Sequence, residues 1–297
     1  MRIVMAGSSG LIGSDLSSRL VSDGHDVSRL VRRPPRSAAE VRWDPAAGGL
    51  DPACIEGADA VINLCGAGIG DRPWTRRRID ELFRSRLDPT RTLAAAMRHL
   101  DAPPKVFISQ SGAGYYGDAG QAFVTEESPA GAGIMARICL EWEAAAREAP
   151  PGVRVVTPRS AVVLSRSGGA LGRLLPLLRA GLGGPLGNGR QYWPWITLPD
   201  ISSAFAFLLT SRLTGPVNVA APEAANVNTL VAGLAAALHR PALLRAPAPA
   251  LRLVMGKLAD ELLLASQRME PALLKGDGFT WQHPSVRDAA RWVAGRS

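Results

Sequence analysis

Residues 3–21 read IVMAGSSGLIGSDLSSRLV, a stretch with glycines at every third position, Gly7, Gly10 and Gly13. The apolar run before the first glycine has the length and β-branching of a buried strand, and the apolar residues after the third recur at helical spacing. A strand, a glycine turn and a helix N-terminus bring unpaired backbone N–H groups and the positive end of the helix dipole to one point, where a pyrophosphate fits. A side chain at Gly7 or Gly10 would block the phosphates, and one at Gly13 would push the helix off the sheet. The stretch therefore predicts a dinucleotide-binding turn.

The first half of the chain continues with alternating strand and helix patterns. The predicted strands after the first are Asp26–Val31, Val41–Trp43, Ala60–Leu64, Lys105–Ser109 and Arg154–Pro158, and the longest predicted helices cover residues 74–100 and 134–148. This order is typical of an α/β protein with a doubly wound parallel sheet. Right-handed crossovers place the carboxyl ends of all the strands at one edge of the sheet, where ligands bind.

The second half is less regular, with a Gly- and Leu-rich stretch over residues 168–189 and a predicted helix near residues 251–264. We predict a cofactor-binding core in residues 1–165 and a smaller, substrate-covering lobe in residues 166–297. Segments near residues 196–222 are predicted to return to the core.

The composition is that of an ordinary globular protein, with 297 residues of which 46% are hydrophobic. No apolar run reaches the roughly 18 residues that span a membrane, and the N-terminus leads into a strand without the features of a signal peptide. The three cysteines, Cys54, Cys65 and Cys139, are far apart and predict neither a disulfide framework nor a metal site. We therefore expect a cytoplasmic protein that has no bound metal and no membrane partner.

The formal net charge of +8 raises the question of nucleic-acid binding. The basic residues are almost all arginine, apart from Lys105, Lys257 and Lys275, which indicates a compositional preference rather than a selected basic face. The densest cluster, residues 76–78, is equally compatible with a solvated helix face, and no nucleic-acid-binding motif accompanies it. We expect no nucleic-acid partner.

The end of the second strand indicates which dinucleotide is bound. An acid at this position meets the free ribose 2′-hydroxyl of NAD, whereas an arginine accommodates the 2′-phosphate of NADP. The strand ends at Arg32 and Arg33, and no acid stands between Ser28 and Ser37. Because a guanidinium and a phosphate form a strong charge-assisted contact, we predict NADP. The alternative is that Arg32 merely occupies a polar turn.

Motifs along the whole chain resemble the short-chain dehydrogenase/reductase superfamily, in its extended, atypical branch, and within it the epimerase family protein group. They are GSSGLIG (residues 7–13), GADAVINLCGAGIGDRPWT (57–75), SRLDPTR (85–91), SGAGYYGD (111–118), TEESP (125–129), LEWEAAA (140–146), GLGGPLGNGRQYWPWI (181–196) and ADELLLASQR (259–268). The resemblance implies an NADP-binding Rossmann core, a C-terminal lobe over the substrate, a small-molecule substrate and a possible homodimer. It does not imply which substrate.

The resemblance also implies a set of cofactor-binding residues. They are Gly7, Gly10, Leu11, Ile12 and Gly13 in the glycine turn, Arg32 and Arg33 after the second strand, Leu64, Cys65 and Gly66 after the fourth, Glu81 and Arg86 on the following helix, and Val163 after the sixth strand. For Glu81 and Arg86 the alternative is a pair of solvated helix residues.

The superfamily's usual catalytic pair, a Tyr with a Lys four residues later, is absent. None of the three tyrosines has a lysine at that spacing. Ser111 stands where the superfamily keeps its catalytic serine, and we predict that Ser111 hydrogen-bonds a substrate carbonyl while Tyr115 donates a proton. The alternative is that one of Tyr115 and Tyr116 packs in the core and the other lines the pocket without chemistry. Arg137 offers a cation but no base near neutral pH, and Cys65 and Cys139 have no neighbouring histidine to activate a thiol.

Several functions fit these residues. The first is an NADP-dependent oxidoreductase or epimerase that acts on a small carbonyl or hydroxyl compound with an altered set of acid and base groups. The second is an NADP-binding regulator or scaffold without redox turnover. A third keeps catalysis but not hydride transfer, as an isomerase or cyclase on the same fold.

Overall fold

The computed structural model describes residues 1–166, 168–169 and 171–295, with Arg173 described by its backbone only. The chain divides into two compact units, each assembled from three separate segments. The first unit comprises Met1–Ser111, Ile138–Pro158 and Ser202–Val217, and the second comprises Gly112–Arg137, Arg159–Ile201 and Asn218–Ser297. The division of roles between residues 1–165 and 166–297 remains a prediction.

The described residues contain fourteen short strands and nine α-helices, which are joined by loops and short helical turns. The strands are β1 (Arg2–Ala6), β2 (Asp26–Val31), β3 (Glu40–Arg42), β4 (Ala60–Asn63), β5 (Val106–Ser109), β6 (Ser111–Gly112), β7 (Phe123–Val124), β8 (Arg154–Ser160), β9 (Val162–Leu164), β10 (Tyr192–Trp193), β11 (Trp195–Thr197), β12 (Gly215–Val219), β13 (Ala225–Asn226) and β14 (Arg268–Met269). The helices are α1 (Leu11–Ser22), α2 (Arg76–Met97), α3 (Ile134–Ala146), α4 (Leu171–Arg179), α5 (Leu198–Thr210), α6 (Val227–Ala237), α7 (Ala248–Met255), α8 (Ala272–Gly276) and α9 (Val286–Val293).

The central sheet has the strand order β12-β8-β5-β4-β1-β2-β3. Strand β1 pairs in parallel with β2 on one side and with β4 on the other, and β4 pairs in parallel with β5. The chain order reverses at β1, which is the switch point where a doubly wound sheet opens a crevice for a ligand. The predicted α/β class and doubly wound parallel sheet are confirmed.

The core of the first unit explains why the strands are almost continuously apolar. Val4, Val61 and Phe107, from β1, β4 and β5, are inaccessible to solvent and pack in one cluster with Leu93 and Met97 of α2. Strands that are covered by helices on both faces carry such runs instead of an alternating pattern.

The second unit has a core of its own. Trp195 of β11 packs in one cluster with Leu175 of α4, Leu230 and Leu234 of α6, and Val293 of α9. The backbone over residues 251–264 differs from the single predicted helix. Helix α7 ends at Met255, Gly256 takes a φ of 58°, and a separate π-helical turn covers Ala259–Leu264. A left-handed glycine terminates a helix, which is why the helical pattern is interrupted here.

Candidate dinucleotide site and the residues around Ser111

The turn between β1 and α1 is built so that two of its glycines cannot carry a side chain. Gly7 has a φ of +80°, and a Cβ on it would lie 2.6 Å from the carbonyl carbon of Leu64. A Cβ on Gly13 would overlap the carbonyl oxygen of Gly7. These two glycines let α1 and the residue after β4 approach the turn closely.

Gly10 has a different surrounding. A Cβ on it would meet only the Gly7 carbonyl oxygen, at 3.5 Å, which is an ordinary contact. Gly10 is also the N-cap of α1, and no side chain caps the helix. The first bond within the helix runs from the Ser14 N–H to the Gly10 oxygen at 2.9 Å, so the N–H groups of Leu11, Ile12 and Gly13 precede it. An open space in front of uncapped N–H groups fits a pyrophosphate.

The ends of β2 and β4 flank this turn because both strands pair with β1. Arg32, directly after β2, is exposed and forms no hydrogen bond or ion pair with the described residues. After β4, the Cys65 N–H donates to the Asn63 side-chain oxygen at 3.1 Å, which holds the Leu64–Gly66 backbone in place. Arg32 is thus a cation with no partner, at the same sheet edge as the glycine turn.

Cys65 is a thiol rather than a thiolate in this setting. Burial raises its pKa to about 12, and the nearby charge of Arg32 offsets this only in part. A thiol with such a pKa is a poor nucleophile near neutral pH.

Arg33 is already paired. Its guanidinium donates to both carboxylate oxygens of Glu40, at 2.8 and 2.7 Å. These bonds and one from the Arg36 N–H lower the pKa of Glu40 to about 2. Residues 28–37 contain no acid, but the carboxylate of Glu40, at the start of β3, is bound by the turn that follows β2. Of Arg32 and Arg33, only Arg32 therefore has a guanidinium without a partner among the described residues, and a cofactor contact from either remains a prediction.

Glu81 and Arg86, both on α2, have contrasting environments. Glu81 is exposed and pairs with Arg78 at 2.8 Å, an interaction that lowers the pKa of Glu81. Arg86 is 5% exposed and donates to the carbonyl oxygens of Leu82 and Ala67, both at 3.0 Å. Burial lowers the pKa of Arg86 to about 10, so it stays protonated at neutral pH.

The guanidinium of Arg86 lies against the turn after β4, since a Cβ on Gly66 would be 3.2 Å from its Cζ. Among the described residues no carboxylate pairs with Arg86, and its Nε has no hydrogen-bond partner. A buried cation without an anion fits a site that receives one from a ligand. Arg86 therefore belongs to the same sheet edge as Arg32, whereas Glu81 points to solvent.

Ser111 follows β5 and is bonded to a buried carboxylate. It is 2% exposed, and its hydroxyl donates to Glu143 Oε1 at 2.8 Å. Glu143 lies on α3 and is 3% exposed. A serine hydroxyl has one proton, and this one is directed at Glu143, so its oxygen can only accept a further hydrogen bond. This differs from the predicted role of Ser111 as a donor to a carbonyl. A carboxylate within the apolar stretch LEWEAAA was the sequence signal for this pair.

The neighbouring tyrosines Tyr115 and Tyr116, both in the second unit, are distinguished by burial. Tyr116 is 3% exposed, and its hydroxyl has two acceptors within hydrogen-bond distance, Asn218 Oδ1 at 2.6 Å and the Thr125 carbonyl oxygen at 2.9 Å, and accepts from Arg159 Nη1 at 3.1 Å. Burial raises the pKa of Tyr116 to about 12. Tyr115 is only partly buried, and its hydroxyl forms no hydrogen bond with the described residues. Tyr116 is therefore the packed tyrosine.

Arg159, at the end of β8, is a functional candidate that the sequence did not single out. Arg159 is 2% exposed, and its guanidinium lies 3.3 Å from the centre of the Tyr115 ring. The sequence signal that could have identified Arg159 is the presence of an arginine within a buried strand. Val163, also in this unit, is the central residue of β9 and pairs with Ile196 of β11.

Among the described residues, no helix is long and apolar enough to cross a membrane. Within the same residues, no group of three or more His, Cys, Asp or Glu side chains could hold a metal ion.

The NAD dependent epimerase/dehydratase family model matches residues 3–220, and a domain of unknown function, DUF1731, matches residues 246–293. This chain belongs to the NAD dependent epimerase/dehydratase family. It is 40% identical to an epimerase family protein of Mycobacterium bovis over 99% of this chain and 98% of that protein. It is 34% identical to the human epimerase family protein SDR39U1 over 99% of each chain.

The solved structures include two informative family members. The human epimerase family protein SDR39U1, isoform 2, crystallised with NADPH, superposes with a TM-score of 0.93 at 33% identity and covers 100% of both chains. A nucleoside-diphosphate sugar epimerase of Corynebacterium glutamicum superposes with a TM-score of 0.80 at 29% identity, over 99% of this chain and 58% of that one. The family resemblance predicted from the sequence agrees with these proteins, and the predicted NADP agrees with the NADPH of the human SDR39U1 structure.

Proposed function

We propose that this protein binds NADP(H) and acts as an oxidoreductase or epimerase on a small molecule that carries a hydroxyl or carbonyl group. The observation that carries the proposal is the uncapped N-terminus of α1 behind an unobstructed Gly10, with Arg32 unpaired at the same sheet edge. In this arrangement the N–H groups of Leu11, Ile12 and Gly13 bind the pyrophosphate, and Arg32 binds the 2′-phosphate. When bound, the nicotinamide supplies or accepts hydride.

The superfamily's usual Tyr and Lys pair for proton transfer is absent from this chain. The Ser111–Glu143 pair supports a different path for the proton. Ser111 Oγ accepts a hydrogen bond from a substrate hydroxyl, because its own proton already points to Glu143 Oε1. When that hydroxyl loses its proton to Ser111 Oγ, the serine proton moves to Glu143, and the carboxylate becomes a carboxylic acid. In the opposite direction Glu143 returns the proton by the same path. Ser111 thus acts on the hydroxyl form of the substrate.

Tyr115 is the second candidate for proton transfer. Its hydroxyl is not used by the described residues, and the Arg159 guanidinium packs on its ring face, which holds the ring in one orientation. Tyr116 has no comparable freedom, because its hydroxyl is bonded to Asn218 and Arg159. We assign the substrate-side phenol to Tyr115.

An NADP-binding regulator without redox turnover is the second candidate function. The observation that favours it is the absence of a lysine four residues after Tyr115, Tyr116 or Tyr192. Such a protein would bind the cofactor through the same glycine turn and Arg32, and Ser111 would serve only to anchor α3 through Glu143.

The two functions are separated by binding and turnover measurements on the same preparation. Calorimetric titration with NADPH and NADH measures affinity, and absorbance at 340 nm follows turnover with a panel of hydroxyl and carbonyl compounds. Turnover that falls in Ser111→Ala while NADPH affinity is retained supports the enzyme. NADPH binding without turnover of any compound supports the regulator, and equal affinity for NADPH and NADH contradicts the cofactor assignment.

A further inference from the structure

Basic and acidic residues are distributed very unevenly along the second half of the chain. Residues 149–199 and 224–259 contain no aspartate or glutamate, although both segments contain arginines. Six of their cations are exposed and form no ion pair with the described residues; Arg166 packs on Trp292, and the other five make no contact with an aromatic ring. These five are Arg179, Arg190, Arg240, Arg245 and Lys257. Arg252 is paired with Asp260, just beyond the second segment, whereas these five cations have no carboxylate partner within the described part of the chain and contribute net positive charge to the surface.

The same two segments expose large aliphatic side chains. Leu243 is 81% exposed, Leu253 is 89% exposed and Val254 is 82% exposed, and Leu182 and Leu244 are each 55% exposed. No residue of α7, which carries Leu253 and Val254, is buried. Single exposed aliphatic residues are normal, but α7 contacts the turn Ala259–Leu264, where Arg252 pairs with Asp260, and still leaves two branched side chains almost fully exposed.

Backbone contacts bring the two segments side by side. The Leu244 N–H donates to the Gly183 oxygen at 3.2 Å, and Leu186 and Ala246 form a parallel bridge. A Cβ on Gly184 would overlap the carbonyl oxygen of Leu244, so glycine is needed for this close approach. Leu182, Leu243 and Leu244 therefore belong to one region, and α7 begins only a few residues further along the chain.

The chemistry of this region restricts its partner. A second copy of the chain in a twofold contact would bring identical patches together, and five cations without acids would repel one another. A single-stranded nucleic acid is bound by cations interleaved with aromatic rings, whereas the exposed apolar residues here are leucine and valine. Aliphatic side chains beside arginine and lysine match the boundary between the acyl chains and the headgroups of an anionic bilayer.

We propose that the basic apolar surface formed by Arg179, Arg190, Arg240, Arg245 and Lys257 with Leu182, Leu243, Leu244, Leu253 and Val254 binds membranes that contain anionic phospholipid. The aliphatic side chains enter the headgroup boundary, and the cations pair with lipid phosphates. Contact of this kind lies on the membrane and needs no spanning helix. It departs from the expectation of no membrane partner, which rested on the absence of a spanning segment.

Flotation of the full chain with defined vesicles tests the proposal. Vesicles of phosphatidylcholine mixed with phosphatidylglycerol should carry the wild-type protein upward at low salt and release it at high salt, and pure phosphatidylcholine vesicles should not. The double variant Arg240→Ser/Arg245→Ser should bind about fivefold more weakly for each arginine removed. The double variant Leu253→Ser/Val254→Ser should lose about tenfold or more of its vesicle binding.

Matched controls remove the same chemistry elsewhere. Arg76→Ser/Arg77→Ser deletes two exposed arginines of α2, and Val21→Ser removes a side chain of α1 that is 57% exposed. Both should float like the wild type. Circular dichroism and NADPH titration verify that each variant is folded, and a variant that unfolds is replaced by the milder Leu253→Ala or Arg240→Gln.

Three outcomes would overturn the proposal. The first is no flotation with the anionic vesicles at low salt. The second is an equal loss in the α2 control variants, which would indicate a nonspecific effect of net charge. The third is a dimer in sedimentation equilibrium that Leu253→Ser/Val254→Ser dissociates, which would assign the surface to a second copy of the chain.

Discussion

Two short segments, each directly following a strand of the central sheet, are used in opposite ways. In residues 7–13 the functional groups are backbone N–H groups, and the glycines matter because they lack side chains. In residues 111–117 the functional groups are side chains, and most are bound to partners distant in sequence, such as Glu143 and Asn218. The comparison teaches that a proposed site of backbone groups can be recognised from local sequence, whereas a site of side chains depends on what the rest of the chain places beside it.

The largest effect should come from filling the open space at Gly10. Gly10→Val should weaken NADPH binding by about 100-fold or more, because the new side chain projects where the pyrophosphate lies. The unliganded protein should keep its thermal midpoint, since a Cβ at Gly10 makes only one contact, at 3.5 Å. Calorimetric titration and thermal unfolding measure the two quantities.

Gly13→Val is the matched control for that prediction. A Cβ at Gly13 overlaps the Gly7 carbonyl, so this variant should lose stability even without cofactor. Wild-type affinity in a folded Gly10→Val protein would contradict the assignment of the turn to a pyrophosphate.

The segment after β5 should respond in turnover rather than in cofactor binding. Ser111→Ala should reduce kcat by about 100-fold, the usual size of an acid–base contribution, with NADPH affinity unchanged. Ser111→Thr, which keeps a hydroxyl that can reach Glu143, should recover part of the rate. Steady-state kinetics at 340 nm test this with whichever compound the screen identifies, and an unchanged kcat in Ser111→Ala would remove the residue from the mechanism.

Arg32 and Arg33 extend the comparison to neighbouring residues on one turn. Arg32→Ala should weaken NADPH binding by about tenfold or more, the value of roughly 1.5–3 kcal/mol for a hydrogen bond to a charged group, and leave NADH binding unchanged. Arg33→Ala should have a smaller effect, because Arg33 is held by Glu40. Titrations of both variants with both cofactors decide the assignment, and a larger NADPH loss in Arg33→Ala would reverse it.

Tyr115 and Tyr116 should differ in stability. Tyr116→Phe should lower the free energy of unfolding by about 1–2 kcal/mol, because it removes the donor shared by Asn218 Oδ1 and the Thr125 carbonyl oxygen. Tyr115→Phe should change stability by less than about 0.5 kcal/mol, since the lost hydroxyl has no partner among the described residues. Urea denaturation of both variants measures the difference, and equal losses would contradict the distinct environments of the two rings.

The smallest effect concerns the Arg33–Glu40 pair at low pH. The pKa of Glu40 is lowered from 4.5 to about 2, mainly by its hydrogen bond from Arg33. A carboxylate with a depressed pKa stabilises the fold above its unfolded pKa, and this contribution is lost as the pH falls through the folded pKa. The difference in thermal midpoint between wild type and Glu40→Gln should therefore shrink between about pH 4.5 and about pH 2. A difference that does not change over this range would show that the pair does not contribute.

The prediction of a cofactor site at this edge of the sheet depends on short-range signals in the sequence. A strand, three glycines and a helical pattern stand within one stretch of chain, and Arg32 ends the next strand. The local apolar pattern likewise predicted β2 at Asp26–Val31, which are its observed bounds. The interrupted helix over residues 251–264 was missed because the apolar pattern continues across Gly256, while the backbone turns there.

By itself the sequence determined the doubly wound sheet, the glycine turn and the absence of the Tyr and Lys pair, since each depends on residue type and spacing along the chain. Only the tertiary structure decided that Arg33 is paired with Glu40, that Ser111 donates its proton to Glu143, and that Tyr116 rather than Tyr115 is packed. The Ser111 and Tyr116 contacts join residues distant along the chain, and the Arg33 contact crosses a turn. A hydrogen bond depends on the distance and direction between two atoms in space. Spacing in sequence determines neither once the chain has folded back on itself.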